Sequence, residues 1–189
     1  MNTITIRKEF HRDVEARETL LDQCFGDARS QKAAERLREG RLPAPNLSFV
    51  ASDRGRVVGT ARLWNVCAGP SRPALLLGPI AVHPDFRCQG LGGALVERSL
   101  DEAKRLGHRA VMLVGDAPYY ERFGFSADAT GGLWLPGRYD VNRFLARELA
   151  PGALFGARGL VSPTGRIEPK PALSTPIARS AHSESARAA

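Results

Sequence analysis

Arg87-Cys88-Gln89-Gly90-Leu91-Gly92-Gly93 joins an apolar run, Leu75 to Val82, to an amphipathic segment that starts at Gly90. The spacing reads as a strand feeding the start of a helix. Gly90 and Gly92 let the backbone turn so that successive N–H groups converge, and the helix that follows adds about half a positive charge from its macrodipole. Such a place takes a diphosphate without side-chain charges. Cys88 adds a thiol beside that anion site; a mixed disulfide with a thiol ligand or a plain solvent-facing side chain are the two readings of it.

A loop of this kind needs a rigid strand before it and a long helix after it. Gly78-Pro79 interrupts the apolar strand, and because proline cannot donate to a ladder this predicts a bulge that splays the strand from its neighbour. The helix is expected from Gly90 to Leu106, burying Leu95, Ser99, Ala103 and Leu106 and exposing Glu97, Arg98, Asp101 and Arg105, with Gly107 ending it. Ala110–Val114 is a short apolar run of the kind found in a central strand. Upstream, Thr3–Lys8 reads as a first strand, His11–Phe25 as a helix on Val14, Leu21 and Phe25, and Ala28–Glu39 as a second helix. Leu47–Ala51 and Arg56–Trp64 form a hairpin about Asp53-Arg54-Gly55, with Val57, Gly59, Ala61 and Leu63 on one face of its second strand and Val58, Thr60, Arg62 and Trp64 on the other. Gly69–Pro73 is a loop, Pro118–Phe123 a short helix, and Phe144–Leu149 and Ala157–Val161 late strands.

With 189 residues, 43% of them hydrophobic, the chain can bury one core. Beyond Ser162 the composition shifts to Pro, Ser, Ala and Arg, which cannot bury enough surface to offset ordering. The expected organisation is one domain over 1–162 and a tail over 163–189. No stretch has the eighteen apolar residues of a membrane helix and the N-terminus lacks the apolar centre of a secretory signal, so a soluble, cytoplasmic protein is expected. Cys24, Cys67 and Cys88 follow no disulfide or metal spacing, and no metal is expected. The net charge of +7 comes from scattered arginines alternating with acids, without interleaved aromatics, so a solvated basic surface is preferred to nucleic-acid binding.

Arg87-x-x-Gly-x-Gly resembles the Arg/Gln-x-x-Gly-x-Gly/Ala signature of the GNAT superfamily of N-acetyltransferases. Ile80-Ala81-Val82 followed by His83-Pro84-Asp85-Phe86 is similar to the strand end that precedes the family loop. Tyr120-Glu121-Arg122-Phe123-Gly124-Phe125 is similar to the box that closes the family's cofactor site, and Pro151 to Leu154 falls late in the same domain. The resemblance covers the chain up to about Val161. It implies a mixed α/β (α+β) fold: a mostly antiparallel twisted sheet of about seven strands, splayed between the fourth and fifth, with about four helices.

It further implies acetyl-CoA as cosubstrate and an amine acceptor. Residues 87–93 (Arg87, Cys88, Gln89, Gly90, Leu91, Gly92, Gly93) would hold the pyrophosphate and Ile80, Ala81 and Val82 the pantetheine arm. The Ile80 N–H would face the thioester oxygen and Tyr120 would be the general acid. Tyr119 reads as core packing. Leu75-Leu76-Leu77 offers no carboxylate where some relatives carry a glutamate, and Gly115-Asp116-Ala117-Pro118 lacks the asparagine that many place there. Asp116 either relays a proton through water or caps the short helix. His83 and Asp85 read as turn chemistry. The helices before the hairpin would border the acceptor. Homodimers are common in the superfamily, but no self-complementary patch is legible here. A second reading keeps the fold as an acyl-CoA-binding sensor without turnover, and a third is nucleic-acid binding.

Overall fold

The computed structural model describes residues 4–26 and 33–169. Two tight hairpins organise its centre. β2 (Ser48–Asp53) and β3 (Arg56–Ala68) are joined by Arg54 and Gly55, both at positive φ (46° and 85°), the pair of left-handed residues that matches the natural strand twist. β3 then returns through Gly69-Pro70-Ser71 into β4 (Arg72–Val82). β1 (Thr5–Lys8) pairs β2, and β5 (Ala110–Val114) is followed by β7 (Phe144–Glu148), giving the order β1-β2-β3-β4-β5-β7 in a seven-stranded sheet, with β9 (Ser162–Pro163) on β3. Within this sheet only β4 and β5 run parallel. That one parallel junction requires a crossover, supplied by the helix α2 (Leu91–Arg105).

Both faces of the sheet are covered, which is why β3 and β4 are apolar on consecutive residues. α2 lays Leu95, Val96, Leu100 and Ala103 on Phe49, Ala61, Leu63, Leu75, Leu77, Val111 and Leu113. Gly59 lets it come close: a Cβ there would stand 3.0 Å from Leu95 Cδ1. On the other face α1 (Val14–Phe25) sets Leu20 and Leu21 on Val50, Val57 and Ala81. The remainder of that face, Trp64, Val66, Leu76, Met112 and Phe144, is closed by Leu37, Leu133, Leu135, Leu154 and Val161 from loops and two short strands, β6 (Leu133–Trp134) and β8 (Gly159–Leu160).

The bulge at Gly78-Pro79 is present. Ala61 pairs Ile80 and Leu63 pairs Leu77, so β4 carries one residue more than β3 across this stretch. β5 pairs β4 only at Leu75 and Leu76, and beyond them the two strands part. The sheet is splayed where the sequence places the break.

Several local expectations are corrected. Residues 28–32 of the second helix lie outside the described residues, and 33–39 hold only a 3-10 turn, Glu35–Leu37. Leu106 follows the last helical residue and is exposed, whereas Glu102, not foreseen in the buried face, is buried and ion-paired to Arg105 and Lys8. A register shift opposite Ala51 and Ser52 breaks the alternation in β3, so Val58 joins Ala61 and Leu63 on the α2 side. The strand expected at Ala157–Val161 is reduced to β8, which pairs β6 rather than the main sheet. From Ser162 the chain stays bonded to the body: Gly165 donates to Asn65, Leu42 to Arg166 and Glu168 to Gly40.

Candidate functional site

The splay exposes one edge of β4, and ladder parity fixes which groups lie on it. Alternate residues of an antiparallel strand direct N–H and C=O to opposite sides. His83 donates across the β3–β4 ladder to the Val58 carbonyl (2.9 Å), so Ala81, two residues earlier, also faces β3. Ile80 and Val82 therefore turn their backbone groups into the gap toward β5. The Val82 carbonyl is accordingly free of the β3 ladder and accepts from Arg87 Nε at 3.3 Å and from Cys24 Sγ at 3.5 Å. Ala81 belongs to the ladder, and only Ile80 and Val82 of the three proposed arm-binding residues offer backbone groups to the gap.

The loop after β4 turns in two steps. His83 Nδ1 accepts from the Asp85 N–H at the start of the 3-10 turn Pro84–Phe86, and its Nε2 lies 2.7 Å from Arg56. Cys88 (φ 60°) and Gly90 (φ 77°) then adopt left-handed conformations, and Gly90 is the N-cap of α2 with no side chain closing it. The turn expected at Gly90 and Gly92 thus falls at Cys88 and Gly90. Gly92 is instead helical, and it is small because a Cβ there would stand 3.1 Å from the Tyr119 hydroxyl. Leu91, Gly92 and Gly93 form the first turn, whose N–H groups have no acceptor within the helix. Gln89 donates to the Asp85 carbonyl.

Across the gap, β5 ends in Gly115 and the short helix α3 (Ala117–Glu121). The Tyr120 ring rests on Gly115, where a Cβ would overlap it, and meets Phe125 edge-on at 5.9 Å. Burial, with Tyr119 adding and Arg143 opposing, pushes the Tyr120 phenol up to about 12. Asp116 sits at the N-cap of α3, but its side chain is exposed and makes no cap bond; its backbone carbonyl accepts from Tyr119 and Tyr120.

A cavity of about 750 Å³ lies on the α1 side and opens on Pro79. Its wall holds Glu9, whose carboxylate is gripped by Arg17 from α1 and by Arg62 from β3. Glu9 and Arg17 side chains are only 6% and 5% exposed, so burial raises the Glu9 pKa despite Arg17. No carboxylate stands on β4, where Leu75, Leu76 and Leu77 are all buried. Sequence reasoning missed this cluster because its members are eight and fifty-three residues apart and follow no motif. Trp64 on the same wall donates from Nε1 to the Gly78 carbonyl at 2.6 Å, holding the bulge. Among the described residues no group of three or more His, Cys, Asp or Glu could hold a metal, and no helix is long and apolar enough to cross a membrane.

Comparison with known proteins agrees with this geometry. A family model described as Acetyltransferase (GNAT) family matches residues 14–125, which include both the loop and the Tyr120 box. The uncharacterized N-acetyltransferase YhbS of Escherichia coli K12 is 33% identical over 158 residues, 82% of this chain and 93% of its own. The crystal structure of E. coli YhbS in complex with CoA superposes with a TM-score of 0.73 at 32% identity, covering 86% of this chain and 91% of that one. A GNAT family acetyltransferase from Brucella melitensis in complex with acetyl-CoA gives 0.61 at 26% identity, covering 80% and 91%.

Proposed function

The chain belongs to the GNAT acetyltransferase family, and on that premise we propose that it transfers the acetyl group of acetyl-CoA to a primary amine within a ternary complex. The observation that carries this reading is the pair of gap-facing groups, Ile80 N–H and Val82 C=O, leading directly into the loop of Cys88–Gly93. The pantetheine amides pair with the open edge of β4 as an added strand would, and the pyrophosphate meets the first turn of α2. Binding of CoA and of acetyl-CoA by the two superposed relatives supports it.

The chemistry then follows from position. The amine nitrogen attacks the thioester carbon from the cavity beside Pro79. The carbonyl oxygen gains negative charge and is held by the Ile80 N–H, a donor worth about 3 kcal/mol in comparable sites. The carbon–sulfur bond breaks, the Tyr120 hydroxyl gives its proton to the departing thiolate, and the proton that the amine releases passes through water to restore the Tyr120 phenol. Asp116, exposed at the mouth of α3, is the side chain placed to pass protons to solvent. The buried acid of the acceptor cavity, Glu9, is committed to Arg17 and Arg62, so an amine that enters neutral suits the site best.

The same fact supports a second reading. Glu9, Glu18 and Glu35 are all paired with arginines, which leaves His11, Glu39 and Glu168 as the other acid–base groups lining the cavity, and a site whose buried carboxylate is committed fits an acyl-CoA-binding sensor that does not turn over. Thiol release from acetyl-CoA, followed against a panel of small amines and amine-terminated peptides, decides between them. Release that depends on an amine establishes the transferase; CoA binding with no transfer to any amine establishes the sensor; no binding of either coenzyme at millimolar concentration removes both.

A further inference from the structure

Arg122 is a cation set against the cofactor loop from outside it. It follows α3 and lies over the Tyr119 ring, 4.2 Å from its centroid, and 4.6 Å from that of Phe123. Ring faces attract a guanidinium but carry no formal charge, so the stack orients Arg122 without neutralising it. Among the described residues no carboxylate pairs with it, whereas Arg7, Arg17, Arg38, Arg62 and Arg105 each hold one. Two glycines of α2 make room for this pair: a Cβ at Gly93 would stand 3.1 Å from Arg122 Nη2, and one at Gly92 would stand 3.1 Å from the Tyr119 hydroxyl. An oriented guanidinium and a phenol therefore lie directly against the first turn of α2. Arg87, the arginine of the loop itself, is turned the other way, onto the Val82 carbonyl.

We propose that Arg122, on its Tyr119 platform, grips the pyrophosphate of the coenzyme together with the α2 amides; this rests on the acetyl-CoA reading above. The planar fork can meet two phosphate oxygens at once and adds the formal positive charge that the amides lack. The assignment adds a side-chain cation to a cradle built mostly of main-chain N–H groups, and it gives Tyr119 a role beyond packing.

Calorimetric titration of the full chain with CoA and with dephospho-CoA, which keeps the pyrophosphate but lacks the 3′-phosphate, tests it. Arg122→Gln is expected to weaken both ligands by about ten-fold or more, and Arg122→Lys, which keeps charge but loses the fork, by less. Arg98→Gln, which removes one positive charge from the outer face of the same helix, is expected to leave both affinities within about two-fold of wild type, a surface charge being largely screened. Arg122→Gln binding both ligands as wild type does, or losing affinity for CoA but not dephospho-CoA, overturns the assignment while leaving the acetyl-CoA reading intact. A wild-type protein that takes up neither ligand overturns that reading and this one with it.

Discussion

The Trp64 indole N–H and the Gly78 carbonyl are 2.6 Å apart, and this bond ties β3 to the bulge at which β4 leaves β5. Both groups are buried. Trp64→Phe keeps an aromatic ring but leaves the carbonyl unpaired, at a cost of about 1–3 kcal/mol. Urea denaturation of the variant should show that loss, together with weaker CoA binding, since the edge that follows the bulge is no longer held. Unchanged stability would mean that the bulge is fixed by backbone geometry alone.

Tyr120 and Gly115 are similarly interdependent. Gly115→Ala places a methyl group in the Tyr120 ring, which must move away from the gap. The expected result is a stability loss of about 1–3 kcal/mol from overpacking and a fall in turnover larger than the fall in CoA affinity. A crystal structure of the variant with Tyr120 in place would refute the dependence.

Removing only the hydroxyl separates packing from proton supply. Tyr120→Phe should retain CoA affinity and lose about a hundred-fold in turnover. Burial holds the phenol up to about 12, so the acid stays protonated throughout the working range and no basic limb of the rate profile below pH 10 belongs to it. The sign for stability follows from the same shift. Between pH 10 and 12 the folded state keeps a proton that the unfolded chain releases, so Tyr120 makes stability fall as pH rises through that window, and Tyr120→Phe should flatten the fall.

At the acid end the test lies in Asp13. Its carboxylate receives Arg7 Nη1 at 2.6 Å and the Phe10 N–H at 2.8 Å, and the Arg7 hydrogen bond, foremost, holds its pKa down to about 2. A depressed carboxylate stabilises the fold above its unfolded pKa near 4 and loses that contribution as pH falls toward 2. Asp13→Asn should therefore cost about 1–2 kcal/mol near neutral pH, Arg7 being partly exposed and screened. The difference from wild type should shrink below pH 4 in thermal melts run as a pH series.

The sequence by itself determined the elements whose signals are local. Asp53-Arg54-Gly55 specifies a tight hairpin through two left-handed residues, Gly78-Pro79 breaks a ladder because proline has no N–H, and Leu75–Val82, Ala110–Val114 and the α2 repeat declare their burial by apolar spacing. Family membership could be read from the two boxes around Gly90 and Tyr120 for the same reason, since each is a short contiguous string. Tertiary structure decided what depends on distant residues meeting. Parity across the β3–β4 ladder separates Ile80 and Val82 from Ala81, and no single strand carries that information. Gly92 and Gly93 are small on account of Tyr119 and Arg122, close to thirty positions away, and Glu9, Arg17 and Arg62 become one buried cluster only when β1, α1 and β3 converge. The physical reason is the same throughout: backbone conformation is set by neighbours in the chain, whereas charge compensation and close approach are set by neighbours in space.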